Sequence, residues 1–357
     1  MMLQRFIPDP VLRRLTGIFP AAEARLRIVR TLCVAVLVSI VIAAVVLSPP
    51  DLLSDPETVD VYVSEGMSSA QIGLALHEAG LIRDPVLFAA VARVRGVHRT
   101  LKSGHYRLRS DQTLVALIDT LARGEVYQVR VTIPEGYGIE QIASLLESKG
   151  LADAQAFVDE ALSSAADYAH VLGFRPPTSS LEGYLFPDTY FVSEGLPVRR
   201  LISMMVNRFR EKALPALSGL MASKFTVHEL VTLASIIERE AARDSERPLV
   251  SSVFHNRLAS GIPLQSCATV QYVLGEPGRT LTRADLAVDS PYNTYLYRGL
   301  PPGPVANPGL PSLAAAANPA DTPYMFFVAD GSGGHVFSVE YPEHLAAAEN
   351  LRQLRGD

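Results

Sequence analysis

Cysteine is almost absent from this sequence, which holds two cysteines and no tryptophan among 357 residues. Cys33 lies inside a long apolar run near the N-terminus, whereas Cys267 lies far beyond it. A bond between them would join a membrane-like segment to a distant part of the chain, so we expect no disulfide. No histidine stands beside Cys267 in the sequence to activate it, which argues against a cysteine nucleophile.

Metal-binding patterns and an excess of positive charge are also missing. The eight histidines are scattered, with no HExxH pattern and no CxxC pair, so we expect no metal ion and no other cofactor. The 32 basic residues are outnumbered by 37 acidic ones. Because no overall cationic field attracts phosphate groups, nucleic acid is not expected as a partner.

Charged residues are absent from residues 31–47, which are mostly Val, Ala, Leu and Ile and are followed by two prolines. With the apolar residues just before it, this run approaches the roughly 20 residues that a bilayer requires. Six arginines lie within residues 1–30, which by the positive-inside tendency places them in the cytoplasm. We therefore predict a single-pass transmembrane helix at 31–48 in the cell (inner) membrane, with the rest of the chain outside. A cleaved signal peptide is the alternative, but no small-x-small site follows cleanly.

An internal repeat follows a linker predicted at 49–58. Residues 61–81 match residues 131–151 without gaps. Each copy is typical of a short strand, a Glu-Gly turn, an amphipathic helix and a glycine that closes the helix. The turn glutamates, Glu65 and Glu135, are interpreted as solvated.

The first copy, with a second helix and a returning strand at 104–108, resembles a small glycan-binding LysM-like module. The alternative is that the duplication reflects shared ancestry and packing, with no ligand site. The predicted fold class is α+β. It comprises a single N-terminal transmembrane helix, a small LysM-like α/β module at 59–127 and a larger α+β domain at 128–357.

The larger domain contains a strongly apolar helix that is predicted to begin after Thr226. Thr226 and Glu229 form a capping-box pattern, which marks the start of a helix. Apolar residues then recur at helical spacing up to residue 241 and define a buried face. Projection around the helix axis places Glu238 inside this apolar arc and Glu240 outside it.

Burial disfavours the ionised form of a carboxyl, so a glutamate aimed into apolar packing can keep its proton near neutral pH. In a cleft such a group can protonate a leaving oxygen, as glycosidases require. The alternative for Glu238 is a structural ion pair with Arg243, Arg247 or Arg257. Glu240 is expected to be solvated or paired with Arg243 or Arg247.

A second carboxylate, Glu182, lies among aromatic residues in the stretch 180–190. It is expected to line a sugar cleft or to be a rival acid, and a surface turn is the alternative. The loops at 264–272 and 290–309 concentrate Tyr, Asn and Gln, which suit a sugar because rings stack on pyranose faces and amides bind hydroxyl and N-acetyl groups. Ordinary Pro-Gly loops would show the same composition. The residues expected to contact substrate are Glu182, Tyr190, Gln265, Tyr292, Asn293 and Tyr295.

Several motifs in order resemble those of the MltG-type (YceG-like) endolytic murein transglycosylases. The resemblance runs from the apolar segment almost to the end of the chain. The motifs are Leu181-Glu-Gly-Tyr-Leu-Phe-Pro-Asp-Thr-Tyr190, Ala234-Ser-Ile-Ile-Glu238-Arg-Glu240, Asn256-Arg257-Leu, Leu264-Gln265-Ser, Tyr292-Asn293-Thr-Tyr295, Gly299-Leu-Pro-Pro-Gly303 and Phe327-Val-Ala-Asp330-Gly.

The resemblance implies cleavage of the bond between N-acetylmuramic acid and N-acetylglucosamine in peptidoglycan, with Glu238 as the catalytic residue and 128–357 as the catalytic domain. One carboxyl would protonate the glycosidic oxygen and then accept the proton of the muramic acid 6-hydroxyl, which closes a 1,6-anhydro ring without water. The chain departs from the pattern after Gln265-Ser266, where many relatives carry Asp-Pro and this chain has Cys267-Ala268. This excludes an essential carboxylate at position 267.

The implied role is to terminate the elongation of nascent glycan strands near the membrane. The implied partners are peptidoglycan strands and the membrane-bound peptidoglycan synthases, the penicillin-binding proteins. Two other functions remain open on the residues alone. One is a hydrolytic muramidase, which would need a second carboxylate such as Glu182 or Asp188. The other is a membrane-anchored glycan-binding scaffold without activity.

Overall fold

The computed structural model describes residues 27–41, 44–50, 55–218 and 225–355. The chain divides into two compact units, the first ending at Tyr127 and the second beginning at Gln128. Each unit has a hydrophobic core of its own. The basic N-terminus predicted at 1–30 lies outside the described residues up to residue 26, as do residues 51–54 of the predicted linker.

Helix α1 spans Arg27–Leu47, and its 21 residues are long and apolar enough to cross a membrane. None of its apolar stretch is buried inside the protein. Such a helix is consistent with the predicted single-pass anchor at 31–48, because a long run of exposed apolar side chains favours an apolar environment.

In the described part of the first unit, two antiparallel strands and three helices follow α1. Its elements are β1 (Thr58–Val63), α2 (Ser69–Glu78), α3 (Pro85–Val94), β2 (Gly104–Arg109) and α4 (Leu114–Arg123). In the β1–β2 ladder Val61 lies opposite Tyr106, and both side chains are buried in the core of the unit. The returning strand expected at 104–108 is therefore confirmed, while the likeness to a LysM module stays a prediction.

The second unit is mostly helical, with two small antiparallel sheets in which β3 pairs with β4 and β5 with β6. Its elements are β3 (Gln128–Thr132), α5 (Ile139–Ser148), α6 (Ala154–Ser163), α7 (Ala169–Leu172), β4 (Thr189–Ser193), α8 (Val198–Ser218), α9 (Val227–Glu240), α10 (Arg247–Ala259), α11 (Cys267–Leu274), α12 (Leu310–Ala317), β5 (Phe326–Ala329), β6 (His335–Ser338) and α13 (Tyr341–Arg355). Each repeat copy thus begins with a strand followed by two helices.

Helix α8 contains Pro215 and continues past it to Ser218. Proline removes one backbone donor from the ladder and its ring clashes with the preceding turn. Leu217, two residues later, is nevertheless buried in the core. Packing of this last turn therefore outweighs the local preference of proline.

Helix α9 begins as the sequence predicts. The Thr226 hydroxyl accepts the Glu229 backbone N–H at 3.3 Å, and the Glu229 carboxylate accepts the Thr226 backbone N–H at 2.7 Å. From Leu230 to Ile237 every residue is buried, so the helix is surrounded by protein on all sides over this stretch. Its C-terminal end carries the charged residues 238–240 to the edge of the core.

The loop before β4 is held at Gly183, where the backbone has a φ of +86°. A Cβ at this position would lie 2.5 Å from Cβ of Pro304 and 2.9 Å from Cγ1 of Val231. Only glycine adopts this conformation without strain and also permits such a close approach.

We predict that Gly183→Ala destabilises the protein far more than Gly173→Ala. Gly173 has a φ of +78° but no atom within 4 Å of the Cβ position, so the control carries the backbone strain alone. Overpacking at Gly183 should add about 1–3 kcal/mol to the loss of unfolding free energy. Denaturant unfolding of both variants measures the difference. Equal losses of unfolding free energy would show that Pro304 and Val231 move aside without cost.

Candidate active site

Glu238 lies near the end of α9, and its side chain is 6% exposed. Its Oε1 accepts a hydrogen bond from the Arg247 guanidinium at 3.0 Å, and its Oε2 accepts the Gly309 backbone N–H at 2.9 Å. The carboxyl is therefore inward, as predicted, but it is surrounded by polar partners rather than by apolar side chains alone.

Arg247 is the arginine that pairs with Glu238. It also pairs with Asp244 at 2.9 Å and donates a hydrogen bond to the Ser312 hydroxyl. The Arg257 guanidinium instead donates to backbone carbonyls, including those of Met325 and Leu264. Of the three arginines considered as partners, Arg247 at the start of α10 thus neutralises the buried carboxyl, and a buried charge needs such a partner.

Glu182 is the second buried carboxyl of this unit. Its Oε1 accepts from the Asn307 amide at 2.9 Å and its Oε2 from the Ile139 backbone N–H at 3.2 Å. Burial raises the pKa of Glu182 to about 8, because a low-dielectric environment disfavours the ionised form. The neutral form of Glu182 is therefore favoured near pH 7, and the alternative of a surface turn is wrong because the residue is buried.

Asn307 connects three segments around Glu182. Its Oδ1 accepts the Leu185 backbone N–H at 2.9 Å, while its backbone carbonyl accepts the Gly136 N–H at 2.9 Å. Its amide also donates to the Tyr137 carbonyl. Sequence reasoning noted the Asn-Pro-Gly run only as a loop, because the bonding groups lie far apart in the chain.

A cavity of about 400 Å³ opens beside Glu182. Its lining includes Glu182, Arg239, Gln271, Tyr272, Ser290 and Tyr292. The rings of Tyr272 and Tyr292 lie 5.1 Å apart and tilted. Aromatic faces next to hydrogen-bonding groups are the surfaces that sugars contact.

Glu238 does not line this cavity but lies behind its wall. Gly136 and Arg239 belong to the wall, and the Arg239 guanidinium donates to the Gly136 carbonyl at 3.3 Å. A Cβ on Gly136 would lie 3.4 Å from Cγ of Glu238. Gly136 therefore lies both at the cavity and next to the Glu238 side chain.

The predicted substrate-contacting residues fall into two groups. Tyr292 and Glu182 line the cavity. Tyr190 and Asn293 are buried, and their polar groups bond to the protein: the Tyr190 hydroxyl donates to the Phe186 carbonyl, and the Asn293 amide donates to the Val288 carbonyl at 2.8 Å. This geometry supports a structural role for Tyr190 and Asn293.

Gln265 and Tyr295 lie near the N-terminus of α11. Gln265 is exposed, has a φ of +55°, and its side-chain oxygen accepts from Arg257 at 3.3 Å. The Tyr295 hydroxyl lies 3.1 Å from the Cys267 sulfur. Burial raises the pKa of the Cys267 thiol, which further disfavours this residue as a nucleophile.

The interpretation of Glu240 as solvated or paired with Arg243 or Arg247 is wrong. Its carboxyl accepts hydrogen bonds from the Ser266 hydroxyl and from the Ala268 backbone N–H, so it caps the start of α11. Burial raises the pKa of Glu240. The helix projection failed here because α11 covers the side of α9 that was expected to face water.

Glu135 was interpreted as a solvated turn residue, but its carboxyl also makes a defined contact with another loop. The residue is exposed, yet its carboxyl packs against the α-carbon of Gly309, whose N–H binds Glu238. No local sequence signal distinguishes this turn from the equivalent one at Glu65.

Among the described residues no group of three or more His, Cys, Asp or Glu side chains could hold a metal ion.

Comparison with known proteins assigns the family. The model of the YceG-like family matches residues 61–350. The endolytic murein transglycosylase of Streptococcus pneumoniae serotype 2 (strain D39 / NCTC 7466) is 34% identical over 306 residues, which cover 78% of this chain and 55% of that protein. The endolytic murein transglycosylase of Bacillus subtilis (strain 168) is 33% identical over 304 residues, covering 82% and 84%.

A crystal structure of a YceG-like protein from Listeria monocytogenes has a TM-score of 0.56 and 31% sequence identity, and the match covers 82% of this chain and 99% of that one. The chain therefore belongs to the YceG-like family. It spans about half the length of the pneumococcal relative that it matches, namely 55%.

The raised pKa of Glu182 predicts that this group lowers stability as pH rises. Its folded-state pKa is about 8 and its ordinary value 4.5. Between these values the folded protein keeps a proton that the unfolded chain has lost, so the free energy of unfolding falls with rising pH. Glu182→Gln, which mimics the neutral carboxyl, should flatten this fall.

Urea unfolding across this pH range measures the effect. The exposed Glu211→Gln serves as the control and should keep the pH dependence of the wild type. If Glu182→Gln and wild type changed in parallel with pH, Glu182 would be ionised in the folded protein.

Proposed function

We propose that this protein is a lytic murein transglycosylase that cuts peptidoglycan strands internally. The proposal rests on membership of the YceG-like family and on relatives named endolytic murein transglycosylases. The observation that carries it is the position of Glu238, an oriented carboxyl at the end of α9 next to Gly136, which lines an aromatic cavity. The substrate is the bond between N-acetylmuramic acid and N-acetylglucosamine.

In this proposal Glu238 handles the proton of the reaction. The glycosidic oxygen receives a proton as its bond to the anomeric carbon breaks, and the muramic acid 6-hydroxyl attacks that carbon and loses its own proton. The product ends in a 1,6-anhydro ring, and no water is consumed. Arg247 and the Gly309 N–H each bind one oxygen of the Glu238 carboxyl. These two contacts restrict rotation of the carboxyl and so keep it oriented for proton transfer.

The cavity beside Glu182 would hold one sugar of the strand. Tyr292 offers a ring face, and the neutral Glu182 offers a hydrogen bond without a charge. Gln265 and Tyr295 are proposed to contact the strand further along, near the start of α11. The unit from residue 128 onward is proposed as the catalytic domain, and residues 59–127 as a LysM-like module.

A hydrolytic muramidase is the second candidate. The observation that favours it is that a second carboxyl, Glu182, lies at the cavity, since hydrolases use two carboxyl groups. Product ends distinguish the two reactions, because water attack leaves a free reducing end and attack by the 6-hydroxyl leaves an anhydro end.

We predict that Glu238→Gln lowers strand cleavage roughly 10²- to 10⁴-fold, the usual contribution of a general acid or base. Mass spectrometry of digested wall should show anhydro ends from the wild type, and glycan co-sedimentation should show that the variant still binds. Glu65→Gln, at an exposed turn of the first unit, serves as the control. Unchanged cleavage by Glu238→Gln would remove the assigned residue, and free reducing ends from the wild type would establish the hydrolase.

We further propose that α1 anchors the chain in the cell membrane with its N-terminus in the cytoplasm. The remaining chain would then meet nascent strands as the membrane-bound synthases release them, and cutting would limit strand length. Affinity capture of the full chain from detergent-solubilised membranes should recover penicillin-binding proteins, detected by a fluorescent penicillin. Recovery of none above the level of an untagged control would contradict this partnership.

A further inference from the structure

Two carboxyl groups meet at Gly309. Its backbone N–H donates to Glu238 at 2.9 Å, and a Cβ on its α-carbon would lie 2.0 Å from the carboxyl carbon of Glu135. The φ of Gly309 is −78°, which any residue can adopt, so the backbone conformation does not require glycine here. Glycine is required because the Glu135 carboxyl occupies the space that a side chain would fill.

The turn that carries Glu135 is attached firmly to this place. The Gly136 N–H donates to the Asn307 carbonyl at 2.9 Å, and the Asn307 N–H donates to the Tyr137 carbonyl at 2.9 Å. This pair of backbone hydrogen bonds fixes the Glu-Gly turn against the loop that leads to Gly309. The position of Glu135 next to Glu238 is therefore a product of the fold.

The two carboxyls differ in their surroundings. Glu238 accepts hydrogen bonds from Arg247 and from the Gly309 N–H, partners that suit a group that only accepts. Among the described residues, Glu135 has no comparable donor. Burial raises the pKa of Glu135, the negative charges of Glu238 and Asp244 raise it further, and the positive charge of Arg247 opposes them.

The two carboxyls also differ in their access to solvent. The Glu238 side chain is 6% exposed, whereas Glu135 is an exposed residue. A strand that approaches from solvent can therefore meet Glu135 more directly than Glu238. Asp244 carries the third negative charge of the cluster, but its side chain is 76% exposed, and water screens its effect.

We propose that Glu135 is a second catalytic residue, which protonates the glycosidic oxygen while Glu238 accepts the proton of the attacking sugar hydroxyl. This assignment rests on the proposed lytic function and divides its two proton transfers between two groups. The proton of Glu135 moves to the leaving oxygen as the bond from that oxygen to the anomeric carbon breaks. The 6-hydroxyl oxygen bonds to the same carbon, and its proton moves to Glu238.

The reaction leaves Glu135 ionised and Glu238 protonated. Transfer of that one proton from Glu238 to Glu135 restores both groups, so no water and no other reactant is consumed. Arg247 compensates the single negative charge that the pair carries throughout. The negative charge of Glu238 is one of the causes that raise the pKa of Glu135, so it favours the return of the proton to Glu135.

The first test compares Glu135→Gln with Glu65→Gln on purified peptidoglycan. These glutamates occupy equivalent positions in the two repeat copies, so the control removes the same group from the same kind of turn. We expect Glu135→Gln to lose roughly 10²- to 10⁴-fold in cleavage rate and Glu65→Gln to keep the wild-type rate. Because glutamine resembles the protonated carboxyl in size and charge, the melting temperature of Glu135→Gln should not fall.

The pH dependence of cleavage gives a readout that a purely structural role would not move. Glu135 must be protonated to act, so the wild-type rate should fall as pH rises through its pKa, which lies above the ordinary value for glutamate. The residual activity of Glu135→Gln should lack this alkaline fall. Glu182, whose pKa is also raised, is present in both proteins, so the test is the difference between them. Identical pH profiles for the wild type and Glu135→Gln would contradict the proposal.

Gly309→Ala provides a second test, which displaces the Glu135 carboxyl without removing any ionisable group. The added Cβ would collide with the flexible end of Glu135, so the carboxyl must move while the protein still folds. We expect the same loss of cleavage as in Glu135→Gln, with retained binding of glycan. Gly150→Ala lies outside the proposed site, at a position with a φ of +67° and no atom within 4 Å of the added Cβ. It controls for the added methyl group and should retain cleavage.

The outcomes separate this assignment from the proposed function. If Glu135→Gln or Gly309→Ala cleaved within about threefold of wild type while Glu238→Gln failed, Glu135 would be excluded and the lytic function would stand. If the wild type produced free reducing ends, the lytic function and the assignment of Glu135 would both be contradicted, and the two carboxyls would belong to a hydrolase. Loss in both variants together with anhydro ends from the wild type would establish the pair.

Discussion

The buried amide of Asn307 is the constraint on which the geometry of the site depends. It is fully buried, and its hydrogen bonds join the turn after β3, the loop before β4 and the loop before α12. Two residues further on, Gly309 supplies the N–H that binds Glu238. Loss of this amide would leave the Glu182 carboxyl and the Leu185 N–H without a buried partner, at about 1–3 kcal/mol each. The backbone hydrogen bonds of residue 307 would still hold the Glu135 turn.

The local features of the central helix could be predicted from the sequence. A capping box depends on residues three apart, and an apolar face depends on spacing along one helix. The cap at Thr226 and the burial of Ile237 could therefore be predicted from nearby residues alone. The inward direction of Glu238 followed from the same spacing. The choice of Arg247 over Arg243 or Arg257 did not, because it depends on how α10 packs against α9.

Other parts of the site are set by contacts between distant segments. Glu240 was expected to face water, but α11 returns to cover it, so Ser266 becomes its partner. Glu135 and Glu65 stand in equivalent turns of a repeat, and only the fold distinguishes them, because Gly309 meets one of them. Tyr190 and Asn293 belong to motifs that suggested sugar contact, yet their polar groups complete hydrogen bonds inside the protein.

The neutral state of Glu182 has a consequence for inhibitor chemistry. A ligand built for the cavity beside Tyr272 and Tyr292 would meet an uncharged acid, so an amine placed to attract an anion would lose its hydration without gaining an ion pair. A carbonyl or ether oxygen, which accepts a hydrogen bond, would suit that position better. A compound that places an uncharged acetamido group there is therefore expected to bind better than one that places an ammonium group there.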